Sequence, residues 1–409
     1  MKHILVDHGA HRNVGDAAML ESVLSSLRTR YPDANVYVRD CPLELDSADT
    51  PAIARKGYSV CLPGRSSIPD GRRHTIRSIL SLARLGRWLN VGRLWVDAGN
   101  DSAPLVDWAR GYDALLVTGG GSITDVFPNE LWQRLALVEH FASTGRPVVL
   151  TGQQIGPFTR AASRAAALRV LRGASYLGLR DPGTSAAMLR KAGLSQFSVD
   201  GDDSFGIQPA AADRVLEKLG LAGRRLLVAN FRFGYYTSSY RRYAKKVAEV
   251  LSDLATRHDA AVLLVPIALG GIDSDIETAR ILVPLIQAGA VRVLPTEDCR
   301  PSIVKGVLSR AVGGIGNSYH FCLFCLQGGT PAILLHDNEY YRQKADAIAQ
   351  LWEDPRLTLS LSRSRGEIVQ AAATLFADSA ADDSIVLRSR ELEVDWRRGI
   401  GLALDRLSQ

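Results

Sequence analysis

Apolar residues along this chain fall into two recurring arrangements. Short continuous runs, such as KHILVD (2–7), NVYV (35–38), DALLVTGGG (113–121), RPVVLTGQQIGP (146–157) and YLGLRD (176–181), read as strands buried on both faces. Between them lie stretches whose apolar positions stand three and four apart. Ala17, Leu20, Val23, Leu24 and Leu27 mark a helix over 16–31, and similar spacing predicts helices over 129–144, 160–173 and 184–192. Strand, helix, strand at this spacing implies parallel pairing in a layered α/β structure.

A polar stretch, VDGDDSFGIQPAA (199–211), breaks the alternation and puts a domain boundary near 208. The alternation then restarts. Strands are predicted at 224–231, 260–268, 290–295, 311–316 and 331–337, with helices at 238–257, 273–288, 300–310, 319–327 and 339–352. The pattern therefore predicts two α/β domains, 1–208 and 209–384, facing each other across a cleft. A last amphipathic helix, 385–409, can pack back on the first domain. Open parallel sheets bind ligands beyond the carboxyl ends of their strands, so chemistry is expected at the strand-to-helix junctions.

Bulk composition narrows the class. A chain of 409 residues, 46% hydrophobic and 22% charged, is long enough for two full cores. The five cysteines (Cys41, Cys61, Cys299, Cys322, Cys325) are scattered and odd in number, which argues against a disulfide framework and for a reducing, cytoplasmic setting. The N-terminus MKHILVDHGAHRNVGD does not read as a signal peptide, and no apolar run reaches the roughly 20 residues that span a bilayer. A net charge of +6 fits an anionic substrate, an anionic membrane surface or nucleic acid.

Six junctions carry candidate chemistry. In HGAHRNVGDAAML (8–20), Gly15 permits a tight turn, Asp16 can cap the helix, and Asn13, Gly15 and Asp16 can face the cleft. In TGGGSITD (118–125), Gly119, Gly120 and Gly121 let backbone amides approach an anion, helped by the coming helix end. In TGQQIGPF (151–158), Gln153 or Gln154 should point at the cleft. In GLRDPGTSAAML (178–189), Asp181 reads as a helix cap with Pro182 at the first helical position. Arg180 then ends a strand, either paired with a carboxylate such as Asp181 or forked onto a ligand anion.

The fifth junction is IGNSYHFCLFCLQGGTP (315–331). Asn317 or Ser318 can cap a helix, and His320 falls in its first turn, where the helix end disfavours imidazolium. His320 is then either a packed core residue or an acid/base group working near neutral pH. The sixth, LLHDNEYYRQKAD (334–346), brings Tyr340, Tyr341, Arg342 and Lys344 to a helix start, as a solvated face or an anion contact. Cys322-x-x-Cys325 has no second pair and lies in an apolar helix, so no metal site is expected. RRHTIRSILSLARLGRWLNVGRLW (72–95), inside an insertion over about 65–96, carries six arginines and no acid. It reads as a membrane-surface helix or as an insertion packed on the first domain. Nucleic-acid binding is not expected, because the arginines cluster without aromatic platforms or a recognition motif.

Taken in order, these pieces resemble the polysaccharide pyruvyl transferase family: N-x-G-D (13–16), the strand with GGG (115–121), QQIGPF (153–158), R-D with the following T-S (180–189), D-D-x-F (202–205), and S-x-H through G-x-P to Y-x-x-K (318–344). The resemblance covers roughly residues 1 to 350. It implies two Rossmann-like domains with a glycosyltransferase-B-like architecture, and transfer of a pyruvyl group from phosphoenolpyruvate to a sugar, usually as a ketal across two hydroxyls. By the same resemblance His320 is the acid/base residue, Arg180 helps hold the donor, and no metal or cofactor is required. The donor side then comprises Asn317, Ser318, Arg232, Tyr341 and Lys344. The acceptor side, for a sugar or lipid-linked sugar, comprises Asn13, Gly15, Asp16, Gly119, Gly120, Gly121 and Gln154. The expected location is cytoplasmic, with peripheral contact at the inner face of the membrane if 72–95 is a membrane-surface helix and not a packed insertion. One position departs from the pattern: members that transfer pyruvyl commonly carry arginine two residues before the histidine, and here Ser318 stands there. Arg232 or Lys344 can replace that cation. Otherwise the chain is a transferase for a different anionic donor, or a sugar-binding protein that has lost catalysis.

Overall fold

The computed structural model describes residues 2–8, 13–39, 59–61, 106–107, 109–233, 240–270, 274–379 and 383–408. The basic stretch 72–95 and the insertion expected over 65–96 lie outside the described residues.

The first sheet runs β3-β2-β1-β4-β6-β7-β8, with β5 beside β6. Its strands are β1 (His3–Asp7), β2 (Asn35–Arg39), β3 (Ser59–Cys61), β4 (Ala114–Val117), β5 (Gly120–Ile123), β6 (Val148–Ile155), β7 (Tyr176–Leu179) and β8 (Ser198–Val199). Helices α1 (Val14–Arg30), α2 (Pro128–Ser143), α3 (Ala161–Leu171) and α4 (Thr184–Lys191) cover it. The second sheet runs β11-β10-β9-β12-β13-β14. Its strands are β9 (Leu226–Asn230), β10 (Ala261–Leu264), β11 (Val291–Val293), β12 (Gly313–Gly316), β13 (Ala332–His336) and β14 (Thr358–Ser360). Its helices are α5 (Asp213–Lys218), α6 (Tyr240–His258), α7 (Asp275–Leu282), α8 (Pro301–Leu308), α9 (Tyr319–Gln327), α10 (Glu339–Leu351) and α11 (Arg365–Ser379), followed by the long α12 (Ser384–Arg406).

The paired strands are parallel in both sheets. The central ones are buried at every position, which is why ALLV and LLVAN read as unbroken runs rather than alternations. Strand order reverses between β1 and β4 in the first sheet and between β9 and β12 in the second. At such a reversal the helices leave to opposite faces and the chain opens a crevice above the strand ends.

Packing joins the halves on one side only. Ile4, Val6, Leu116 and Val149 on one face of the first sheet share a continuous core with the second half, while Leu5, Leu115, Val117 and Leu150 on the other face pack with α2 to α4. Beyond the core, Asn13 and Ala268 form an antiparallel bridge, and the Val14 amide donates to the Ile267 carbonyl at 2.8 Å. Helix α12 returns to the first half: the Trp396 indole donates to Asp203 at 3.4 Å and the Tyr31 hydroxyl to the Leu404 carbonyl at 2.7 Å.

Three expectations change here. The glycines after β4 do not lead into a helix. Gly120 and Gly121 enter β5, and α2 begins only at Pro128, so no helix end adds potential to that turn. Asp16 does not cap α1. The cap is Asn13, whose Oδ1 accepts from the Gly15 and Asp16 amides, and Asp16 sits in the first turn. At α4 the cap position is Gly183, so Pro182 precedes the helix instead of opening it, and Asp181, two residues before the cap, accepts from the Gly183 and Ser185 amides.

The segment joining the halves threads a narrow gap. The Ala210 amide donates to Ser302 of α8 at 2.8 Å, and a Cβ on Gly306 would stand 1.8 Å from the Ala210 carbonyl oxygen. Because that neighbour is backbone, it cannot swing aside. We expect Gly306→Ala to destabilise the protein by about 1–3 kcal/mol despite alanine's better helix propensity. A thermal melt checks this, and an unchanged or raised midpoint would contradict it.

Candidate functional site

The two strand-order reversals face one cavity of about 290 Å³. The first half lines it with Asn13, Asp16, Gly119 to Gly121, Glu130 and Arg180. The second contributes Arg232, Asn317 to His320, Tyr340, Tyr341 and Lys344. Arg232 follows β9, and Asn317 to His320 follow β12, so the topology alone brings these residues together.

His320 opens onto this cavity although it is only 6% exposed. Its imidazole sits in a close-fitting seat. Tyr319 meets it edge-on at 5.2 Å between centroids, Phe324 lies at 5.9 Å, and Gly15 packs beneath it. A Cβ on Gly15 would fall 2.0 Å from the ring's Cγ and Nδ1. Gly15, expected on the acceptor side, is not among the residues that line the cavity. It is bare so that the ring can lie there.

Asp202 anchors the arrangement. It is fully buried, accepts from Arg180 Nη1 at 3.0 Å and from the Ser204 amide at 2.9 Å, and lies 3.6 Å from His320 Nε2. That last distance is an ion-pair separation, too long for a good hydrogen bond. Burial would raise the Asp202 carboxyl, but His320 and Arg180 overcome it and hold it well below the usual carboxylate range. The same carboxylate oxygen thus faces the imidazole of one half and the guanidinium of the other.

Arg180 pairs with Asp202, not with Asp181. Its Nη2 donates to Gln154 Oε1 at 2.8 Å, and its guanidinium lies 4.2 Å over the Tyr319 ring. Each terminal nitrogen thus spends a bond on the protein, and what Arg180 gives the cavity is mainly fixed positive charge. Gln154, expected to contact the acceptor, is buried behind Arg180 and holds it in place; Gln153 donates to the Thr118 and Thr151 carbonyls. Neither glutamine lines the cavity.

Lys344 is a softer cation. Burial and the neighbouring Arg180 push Lys344 down to about 7, so near neutral pH it can gain a proton when an anion enters. Its Nζ donates to the Tyr340 hydroxyl at 2.7 Å. Across the cavity, burial raises Asp16, against the pull of His320, Arg180 and Lys344, and it also raises Glu130. Cationic groups and carboxylates with raised proton affinity therefore share one enclosed space, where bound anions and hydroxyls both find partners. Ser318 stands at the start of α9 but makes no capping bond, and Asn317 does not cap it either; its side chain binds Arg232 instead.

Asp202 stands in the sequence only as part of a motif, and no motif there marks Tyr319, Phe127, Glu130 or Asp275 as cavity residues; Tyr340, at the sixth junction, does line the cavity. The one signal available for Asp202 was an acidic pair in a Gly-rich break. Among the described residues no cluster of three or more His, Cys, Asp or Glu can hold a metal, and Cys322 and Cys325 are buried, their thiols pushed up by burial. Among the described residues no helix is long and apolar enough to cross a membrane.

A family profile described as polysaccharide pyruvyl transferase matches residues 13–336. The chain belongs to the polysaccharide pyruvyl transferase family. That span includes the reversal between β9 and β12, begins after β1, and takes in every cavity residue except Tyr340, Tyr341 and Lys344. No curated protein matches the chain in sequence. Among solved structures it is similar to a UDP-GlcNAc 2-epimerase from Neisseria meningitidis bound to UDP-GlcNAc, at 12% identity and TM-score 0.59 over 100% of this chain and 99% of that one. It is also similar to Arabidopsis thaliana UGT89C1 complexed with quercetin, at 13% identity and TM-score 0.60 over the whole of both chains. These likenesses show the fold: this family member has a glycosyltransferase-B-like architecture of two parallel α/β sheets.

Two expectations follow from this geometry. Gly15→Ala should drive the imidazole from its seat and cost about 10²-fold in turnover, as small misplacements of reacting groups do. Steady-state kinetics on the folded variant checks it; unchanged turnover would mean that the position of His320 does not matter. Asp203, next to the anchor, accepts from the Gly119 amide at 2.8 Å and from Thr151 at 2.6 Å. Burial pushes it up to about 7. The folded state therefore holds this proton more tightly than the unfolded one. Its stabilising contribution is complete below about pH 4 and is lost as pH rises through 7. Denaturation at pH 5 and pH 7 should show stability falling, by at most about 3 kcal/mol from this group, and Asp203→Asn should flatten the fall.

Proposed function

We propose that the protein transfers a pyruvyl group from phosphoenolpyruvate to a pair of sugar hydroxyls on a glycan or glycan precursor, with His320 as acid and base. The observation that supports it most is the placement of His320, held against Asp202 and opening on a cavity that Arg180, Arg232 and Lys344 also line. Phosphoenolpyruvate carries a carboxylate and a phosphate, and those cations can neutralise both. One hydroxyl adds to the carbon bearing phosphate while a proton reaches the neighbouring methylene, which becomes methyl. The second hydroxyl then displaces phosphate and closes the ketal. Of the two hydroxyl protons, one is replaced on the methyl group and the other leaves with phosphate. His320, with Asp202 behind its ring, supplies the methylene proton and afterwards accepts one from a hydroxyl. Asn13, Asp16 and the Gly119–Gly121 turn take the acceptor sugar. A cytoplasmic setting goes with this donor, and contact with the inner membrane face through 72–95 would bring in lipid-linked acceptors.

A second reading has a specific ground. Ser318 stands where pyruvyl-transferring members commonly have arginine, so a different anionic donor, such as a nucleotide sugar, could use the same cleft. Phosphate release from phosphoenolpyruvate with candidate sugars separates the two. His320→Ala should reduce release by about 10² or more. If the wild-type protein never exceeds that variant while nucleotide sugars alone raise its melting temperature, the first reading falls and the second stands.

A further inference from the structure

Strands β9 and β12 are neighbours, with Gly316 in register with Asn230, and they are the pair between which the second sheet reverses its order. Their backbone pairing continues one step further, where the Asn317 amide donates to the Asn230 carbonyl at 3.0 Å. Beyond that point the two chains must part, since α9 follows directly on one of them. The Asn317 side chain bridges the split. Its Oδ1 accepts from the Arg232 amide at 2.8 Å, and its Nδ2 donates to the Arg232 carbonyl at 2.9 Å. A side-chain amide carries the same donor and acceptor as a peptide group, so Asn317 imitates one more residue of β12 and extends the pairing by a rung. Asn317 itself is buried, and both bonds are partly shielded from water.

We propose that Asn317 is a positioning residue that acts through Arg232: by fixing the Arg232 backbone where β9 leaves the sheet, it aims that guanidinium into the cavity to hold the anionic donor. The proposal rests on the donor reading given above. It also changes the part given to Asn317, which touches Arg232 and not the donor. A residue that leaves a strand end would otherwise sample several backbone conformations, and each would point a side chain as long as arginine's to a different place. The arrangement suits the serine at 318, because a cation supplied from β9 needs a fixed root if none is supplied from β12.

The test uses the full chain and two readouts. Calorimetric titration with phosphoenolpyruvate compares wild type, Asn317→Ala, Arg232→Ala and the double variant. Asn317→Ala should weaken binding about tenfold, as expected for two lost, partly buried hydrogen bonds. Asn317→Asp keeps the acceptor and loses the donor, and should fall between. In the Arg232→Ala background, Asn317→Ala should have no further effect, because a residue acting through another becomes silent once that other is gone. Additive losses, or full affinity in Asn317→Ala while Arg232→Ala is weakened, would overturn the proposal. Hydrogen exchange supplies the readout that needs no ligand: the Arg232 amide should be protected in wild type and in Asn317→Asp, which keeps its acceptor, and exchange faster in Asn317→Ala. If wild type takes no phosphoenolpyruvate but the amide behaves so, the donor reading has failed and the clamp stands. An Arg232 amide equally protected in every variant would overturn the clamp itself.

Discussion

A buried carboxylate with three obligations organises this molecule. Asp202 leaves the first sheet just after β8, has no exposure to solvent, and meets Arg180 from its own half, His320 from the other, and the amide of Ser204. A charge so placed is costly unless its partners stay, and removing one partner from a buried pair commonly costs about 3–5 kcal/mol. The constraint therefore runs across the cleft. The imidazole, the guanidinium and the acidic pair that follows β8 hold one relative geometry because none of them can leave without stranding a charge.

Around that anchor, rigidity comes from backbone placed where side chains are absent. Gly15 leaves room for the imidazole, and the turn at Gly119 is tied by its amide to Asp203. Asp203 is in turn reached by Trp396 from the last helix. A buried lysine completes the set: Lys305 of α8 donates to the Ser204 and Ile207 carbonyls at 2.7 and 2.8 Å, across the boundary between the halves. The segment that positions the anchor is thus gripped from the second half and from the C-terminal helix together. Cores of this kind shift between discrete arrangements more readily than they deform.

Family membership and cavity chemistry limit each other usefully. The fold is shared with sugar epimerases and glycosyltransferases at 12–13% identity, so architecture alone selects no reaction. The cavity adds what the fold does not: several cations, one histidine with a carboxylate behind it, and acidic groups at the opposite wall whose proton affinity burial has raised. Such a mixture suits joining an anionic donor to a hydroxyl-bearing acceptor, since both kinds of group need a partner once water is excluded.

The sequence by itself determined the alternation of strands and helices, the parallel sheets and the residues at the strand ends. Periodicity records which side of an element is buried, and in a parallel sheet nearly every central position is, so the strands stand out as apolar runs. It did not show β5 or β8, which are too short and too rich in Gly or polar residues to leave a pattern, nor α11, whose apolar positions drew no notice. The order of motifs gave the family, and His320, Arg180, Arg232 and Lys344 were all legible as strand-end or helix-start residues. Only the tertiary structure decided what each of them touches. Gly15 beneath a ring 305 positions later, Asp202 between Arg180 and His320, and Gln154 behind Arg180 instead of in the cleft all depend on how two sheets dock. Local pattern encodes burial, whereas contact between distant segments is fixed by register, by the reversal of strand order and by the balance of buried charge, none of which is written in the spacing of apolar residues.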